Sequence, residues 1–194
     1  MSSDLAVHYI CTMEMEQLDR NITDLVISVV ADGLIVEANF KFNYEERHTV
    51  IPLELENGME LRLPPLGSLS QLNYLSIRNN TDLSIVFDMN NLCGLELLTG
   101  LSLRSLELLV GDTECVALPN LRYVFISDCN IIMPEDSPYD NIVQLLADNA
   151  LNIEELYMSN NEGLTGEWPT EWISNRVRRL YLSDNRDMPN LIYQ

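Results

Sequence analysis

The 194-residue sequence predicts an α/β solenoid, a right-handed β-α superhelix with a short-stranded parallel sheet lining its concave face. Two observations predict it. The pattern LxxLxLxxN, with Cys accepted in place of Asn, occurs four times in good form. Together with weaker copies it recurs about every 26 residues, a spacing that fits one strand, one turn and one return segment per unit.

From the N-terminus, residues 1–21 carry Asp4, Glu14 and Glu16 and form a cap over the first coil. They lack the basic start and apolar core of a secretory signal. Residues 22–194 form the solenoid, of about seven repeats. Ile22, Leu25 and Ile27 begin it, with Val30 at the Asn position. Val50, Leu53 and Leu55 follow, with Gly58 there. Leu72, Leu75, Ile77 and Asn80 make the first good copy. Residues 82–100 are long enough for a helix on the convex side. Leu103, Leu106 and Leu108 make another weak copy, with Gly111. Leu121, Val124, Ile126 and Cys129 come next. In 137–150, Ser137 caps a second convex helix, Pro138 suits its first position, and Ile142, Leu145 and Leu146 form an apolar stripe. Ile153, Leu156, Met158 and Asn161 precede Val177, Leu180, Leu182 and Asn185. No matching cap follows Gln194, so the repeat either ends in an open apolar end available for dimerisation or marks a truncation, and truncation or an unusually short cap is the expectation.

The template has a physical rationale. Leu-x-Leu has period two, so both side chains leave one face of a strand. One coil cannot bury that face alone, whereas stacked coils bury a continuous column. The Asn amide both donates and accepts, and it satisfies backbone groups enclosed where the chain turns.

On these residues the chain resembles the leucine-rich repeat family along nearly its whole length. LTGEWPTEW (164–172) is similar to the LxGxIPxxL segment of the plant-type subclass, with Trp168 and Trp172 replacing Ile and Leu. LPPLGSLSQL (63–72) echoes it. That subclass is common in extracellular receptors and secreted inhibitors. The resemblance therefore implies a cell-surface or extracellular setting if the chain is a fragment, and the missing signal implies a cytoplasmic one if it is complete.

Composition narrows the function. The net charge is −19, which repels nucleic-acid phosphates and anionic lipid. No run approaches the about 18 apolar residues of a membrane helix. His8 and His48 are the only histidines, and no nucleophile, phosphate-loop or metal motif occurs. The expectation is a protein that is not an enzyme and holds neither metal nor cofactor. Cys11, Cys93, Cys115 and Cys129 include no CxxC pair, and buried thiols compete with a Cys115–Cys129 bridge. Asn21 and Asn79 begin glycosylation sequons, and the template turns Asn79 outward.

Positions flanking each apolar anchor face the concave side. They place Phe125, Tyr157 and Tyr181 in one file on consecutive coils, with Tyr123 beside it and Tyr74 two coils away. Glu54, Glu56 and Glu107 make the N-terminal half acidic, and Arg78 and Arg179 share the face. Exposed tyrosines on a rigid sheet are good anchors for a protein or peptide partner, and the acids favour a basic one. The competing reading is that these aromatic residues are good β-formers that shield their neighbours. The rival functions are a receptor-ectodomain fragment, a secreted inhibitor resembling those of plant polygalacturonases, and a spacer with no ligand.

Overall fold

The computed structural model describes residues 22–30, 35–42, 45–52, 61–62, 66–67, 69–111, 114–135, 137–165 and 175–185. The expected cap at 1–21 lies outside them. Two sheets organise the described chain. The longer contains β1 (Ile22–Val30), β2 (Ile35–Phe42), β3 (Glu45–Pro52), β5 (Tyr74–Asn80), β7 (Gly100–Arg104), β9 (Tyr123–Ser127), β11 (Glu155–Ser159) and β12 (Arg179–Ser183). Its spatial order is β12-β11-β9-β7-β5-β1-β2-β3. The shorter sheet has the order β10-β8-β6-β4, from Asn130–Ile132, Glu107–Leu109, Ile85–Asp88 and Leu61–Arg62.

From β1 through β12 the long sheet is a parallel ladder in strict register. Leu25, Leu75, Leu101, Val124, Leu156 and Leu180 are aligned, as are Ile27, Ile77, Leu103, Ile126, Met158 and Leu182. All but Leu180 and Leu182 are at most 1% exposed, and those two pack half-buried at the end. Period two sends both columns inward. Burying each such side chain contributes roughly 1.5–3 kcal/mol, which the stacked neighbour makes available. A second layer of Leu69/Leu72, Leu95/Leu98 and Leu118/Leu121 turns into each strand through repeated i to i+3 backbone bonds, such as Leu98 N–H to Leu95 O at 3.0 Å. Gly67 permits close coil stacking, because a Cβ there would meet the Cys93 carbonyl oxygen at 2.6 Å.

Several expectations change. Val50 belongs to β3, which pairs antiparallel with β2, and β2 pairs antiparallel with β1. Leu25 therefore adjoins Leu75 directly, and the copy anchored at residue 53 does not stand between them. Leu53 and Leu55 lie outside the described residues. The third weak copy is out of phase. Its strand is β7, anchored on Leu101, so Leu106 occupies the Asn position and β8 belongs to the shorter sheet. That phase error inflated the interval assigned to a convex helix over 82–100. The segment instead holds β6 and a short 3-10 turn, Met89–Leu92. The helix α1 spans Ile142–Asn149, and its cap is Asn141 rather than Ser137. The Asn141 side chain accepts from Val143 N–H at 2.9 Å and Gln144 N–H at 3.0 Å, and Ile142, Val143, Leu145 and Leu146 are buried beneath it.

The turns after the strands carry the Asn positions. Asn185 donates to Met158 O at 3.0 Å, Asn161 to Ile126 O at 3.0 Å, and the Cys129 thiol to Leu103 O at 3.7 Å. In return, Asn161 Oδ1 accepts from Cys129 N–H and Asn185 Oδ1 from Asn161 N–H. Ser105, Asp128, Asn160 and Asp184 enter these turns with φ between 52° and 57°. β5 makes no such turn and keeps period two to its end, paired with Val29 and Val30 of β1. Asn79 is thus buried and Asn80 exposed, the reverse of the template. Asn79 Nδ2 is held by Leu83 O at 2.8 Å, so the sequon amide points inward rather than onto the open face.

Cys115 pairs with Cys93 in a disulfide, with Cα atoms 5.3 Å apart, and Cys129 is a buried free thiol. The Cys115–Cys129 alternative fails because Cys129 sits inside the turn ladder. Burial pushes its thiol up to about 11.

Candidate binding face on the long sheet

Three files of side chains leave the long sheet opposite the leucine columns. The residues before the anchors are Asp24, Tyr74, Gly100, Tyr123, Glu155 and Arg179. Those just after are Val26, Ser76, Ser102, Phe125, Tyr157 and Tyr181. The outermost file is Ser28, Arg78, Arg104, Ser127, Ser159 and Ser183.

The central file carries the main feature. Phe125 and Tyr157 stack with ring centroids 4.4 Å apart and planes 9° from parallel. Tyr157 and Tyr181 stack at 4.4 Å and 7°. The strand spacing of about 4.8 Å sets this distance, since residues in register on parallel strands repeat at that interval. Phe125 is 40% exposed and Tyr181 54%, so the stack lies open to solvent. Tyr123 and Tyr74 are exposed in the adjacent file, one on each side of Gly100. Tyr74 lies over that glycine, where a Cβ would come within 2.7 Å of its ring.

The charges here are largely matched. Arg179 meets Glu155 at 2.8 Å, and Tyr157 donates its hydroxyl to the same carboxylate at 3.3 Å. Desolvation, reinforced by the Glu155 charge, raises the Tyr157 phenol above its ordinary value. Arg104 Nε donates to Asp128 at 3.1 Å, and Asn160 Nδ2 to the other carboxylate oxygen at 2.8 Å. The Asn160 bond, with help from Arg104, holds the Asp128 carboxyl below its ordinary value. Arg78 is exposed and has no ion pair among the described residues.

Tyr74, Arg78, Tyr123, Phe125, Tyr157, Arg179 and Tyr181 thus share this face. Glu107 does not. It lies in β8 of the shorter sheet, aligned with Val86 and Asn130, because the third copy was read in the wrong phase. Glu54 and Glu56 lie outside the described residues, and Asp24 is the described acid at the N-terminal end of the three files. The sequence reading missed Gly100, Ser102 and Arg104. The stretch LTGLSLRSL (98–106) held the signal, since Leu98, Leu101, Leu103 and Leu106 fit the template with Leu in the Asn position.

Among the described residues no group of three or more His, Cys, Asp or Glu is placed to hold a metal, and no helix is long and apolar enough to cross a membrane.

No family profile and no curated protein sequence matches the chain. In three dimensions it is similar to the crystal structure of the leucine-rich repeat ectodomain of the receptor kinase SOBIR1 from Arabidopsis thaliana. The TM-score is 0.51 at 20% identity, over 95% of this chain and 94% of that one. This likeness, together with the parallel ladder and the helix Ile142–Asn149, supports a leucine-rich repeat fold for the chain.

Proposed function

We propose that the chain is a non-enzymatic recognition module that binds a protein or peptide through the outward face of its long sheet. The observation that carries this reading is the stacked Phe125–Tyr157–Tyr181 file. Its rings face away from the core, with Phe125 and Tyr181 exposed and Tyr157 half-buried between them, and strand register aligns them. Rigid aromatic surface binds at low entropic cost, and Tyr is enriched among interface residues that dominate affinity. The net charge of −19 disfavours nucleic acid as the partner. We take the winding to be right-handed, because crossovers between parallel strands of one sheet are so in about 98% of cases. We take the face to be the concave one, since the strands of leucine-rich repeats line the inside of a horseshoe.

A second reading places this module in a receptor-type ectodomain. Two observations favour it: the likeness to a receptor-kinase ectodomain and the Cys93–Cys115 disulfide, a bond that persists in oxidising compartments. Protease treatment of intact source cells tests it. Degradation of the protein supports exposure at the surface, and full protection counts against it.

Affinity capture from source cells tests the main proposal. Wild type is compared with the Phe125→Ala/Tyr157→Ala/Tyr181→Ala variant at matched circular dichroism. A protein retained by wild type and lost by the variant supports recognition. Identical capture by both, or none by either, makes the aromatic file a structural covering.

A further inference from the structure

The aromatic stack is open at one end. Phe125 has Tyr157 against one ring face. On its other side the file continues with Ser102 and then Ser76, and no described ring stacks there. The next strand lies about 4.8 Å away, close to the separation at which these rings already stack. Above Ser102 there is therefore a place of one ring's thickness in the lattice that Phe125, Tyr157 and Tyr181 fill on the following coils.

Its two sides differ in chemistry. On one side Gly100 has no side chain, and Tyr74 lies across it as an apolar wall. On the other, Arg78 and Arg104 stand in register on adjacent strands. Arg104 engages Asp128 through Nε and is 49% exposed in its side chain, while Arg78 has no ion pair among the described residues. Asp128 is taken up by Arg104, so the place carries the exposed guanidinium of Arg78 without an ion pair among the described residues.

We propose that this place receives an aromatic side chain of a peptide partner that has an acidic residue next to it. The ring extends the stack on Phe125 above Ser102, and the carboxylate meets Arg78 and Arg104. Guanidinium groups offer fork-shaped donors that suit a carboxylate, and an added stacked pair brings both contact area and ring geometry. The inference rests on the recognition reading above and specifies the chemistry of the ligand. It differs from the basic partner expected from sequence, since Asp128 and Glu155, the acids nearest this place and the aromatic stack, are each paired with an arginine.

The test uses a bead-displayed random heptapeptide library with the full chain as bait. Wild type is expected to enrich peptides pairing Phe, Tyr or Trp with a neighbouring Asp or Glu. Ser102→Tyr, which fills the place from within, and Arg78→Glu, which reverses its charge, are each expected to lower that enrichment about tenfold, the size of one well-placed contact. Both positions face outward, and matched thermal melting separates binding loss from unfolding. Enrichment of peptides without the aromatic–acidic pair, or enrichment unchanged in both variants, overturns this inference and leaves the recognition reading standing. No enrichment over the triple alanine variant withdraws both.

Discussion

The two ends of the long sheet build one surface by different means. From β7 to β12 each strand is followed by a residue of left-handed backbone conformation, and after β9, β11 and β12 a Cys or Asn stitches the turn to the coil before it. From β1 to β5 no left-handed residue interrupts the strand, Asn79 bonds within its own turn, and β2 and β3 extend the sheet antiparallel. The aromatic stack rides on the first kind of scaffold. The difference teaches that strand register alone aligns side chains, whereas the turn ladder adds cross-links that hold adjacent coils at constant spacing.

The comparison sharpens first in the core. Leu101→Ala, at a fully buried anchor, is expected to cost roughly 2–5 kcal/mol through lost burial and a residual cavity. Leu180→Ala, at the half-buried end, should cost distinctly less, and denaturant melts measure both. Next comes the disulfide, which closes a sequence separation of 22 residues between adjacent coils. Replacing Cys93 and Cys115 together by Ser is expected to cost about 3 kcal/mol by the chain-entropy relation.

The turn ladder should break more gently. Asn161→Ala strands Ile126 O and Cys129 N–H inside the turn and is expected to cost about 1–3 kcal/mol. Asn80→Ala, at the exposed position where the sequence pattern placed a ladder residue, should be near neutral. Equal losses at the two sites would erase the distinction between the ends. The smallest effect concerns pH. The Asp128 carboxyl is lowered in the folded state, so its contribution is present above the unfolded value near 3.8 and is lost as pH falls through the folded one. Asp128→Asn should flatten that acid limb slightly, as read from stability against pH between about 5 and 2.

The inward columns were legible in the sequence wherever Leu-x-Leu was followed by Asn or Cys. In those copies period two and the polar turn residue agreed. Legibility failed where one cue was missing. At 98–111 two overlapping phases both offered LxxLxL, and with Leu106 in place of Asn nothing in the local pattern broke the tie. That error removed Ser102 and Arg104 from the face and put Glu107 on it. The copy on Val50, Leu53 and Leu55 had Gly58 in place of Asn, and Val50 lies in an antiparallel strand, which shares period two with a parallel one. The stack itself followed from register, while the ion pairs that neutralise Asp128 and Glu155 depend on side-chain reach between coils, which spacing does not encode.

The central claim is that neighbouring residues on one strand divide between fold and recognition. Leu156 is fully buried, and Tyr157 stands in the outward stack. The most direct measurement compares denaturant stability and partner capture for Leu156→Ala and Tyr157→Ala. The account predicts a loss of roughly 2–5 kcal/mol for the first. For the second it predicts a loss below about 1.5 kcal/mol with capture strongly reduced. If Tyr157→Ala unfolded the chain as readily as Leu156→Ala, or left capture untouched, the claim would be contradicted.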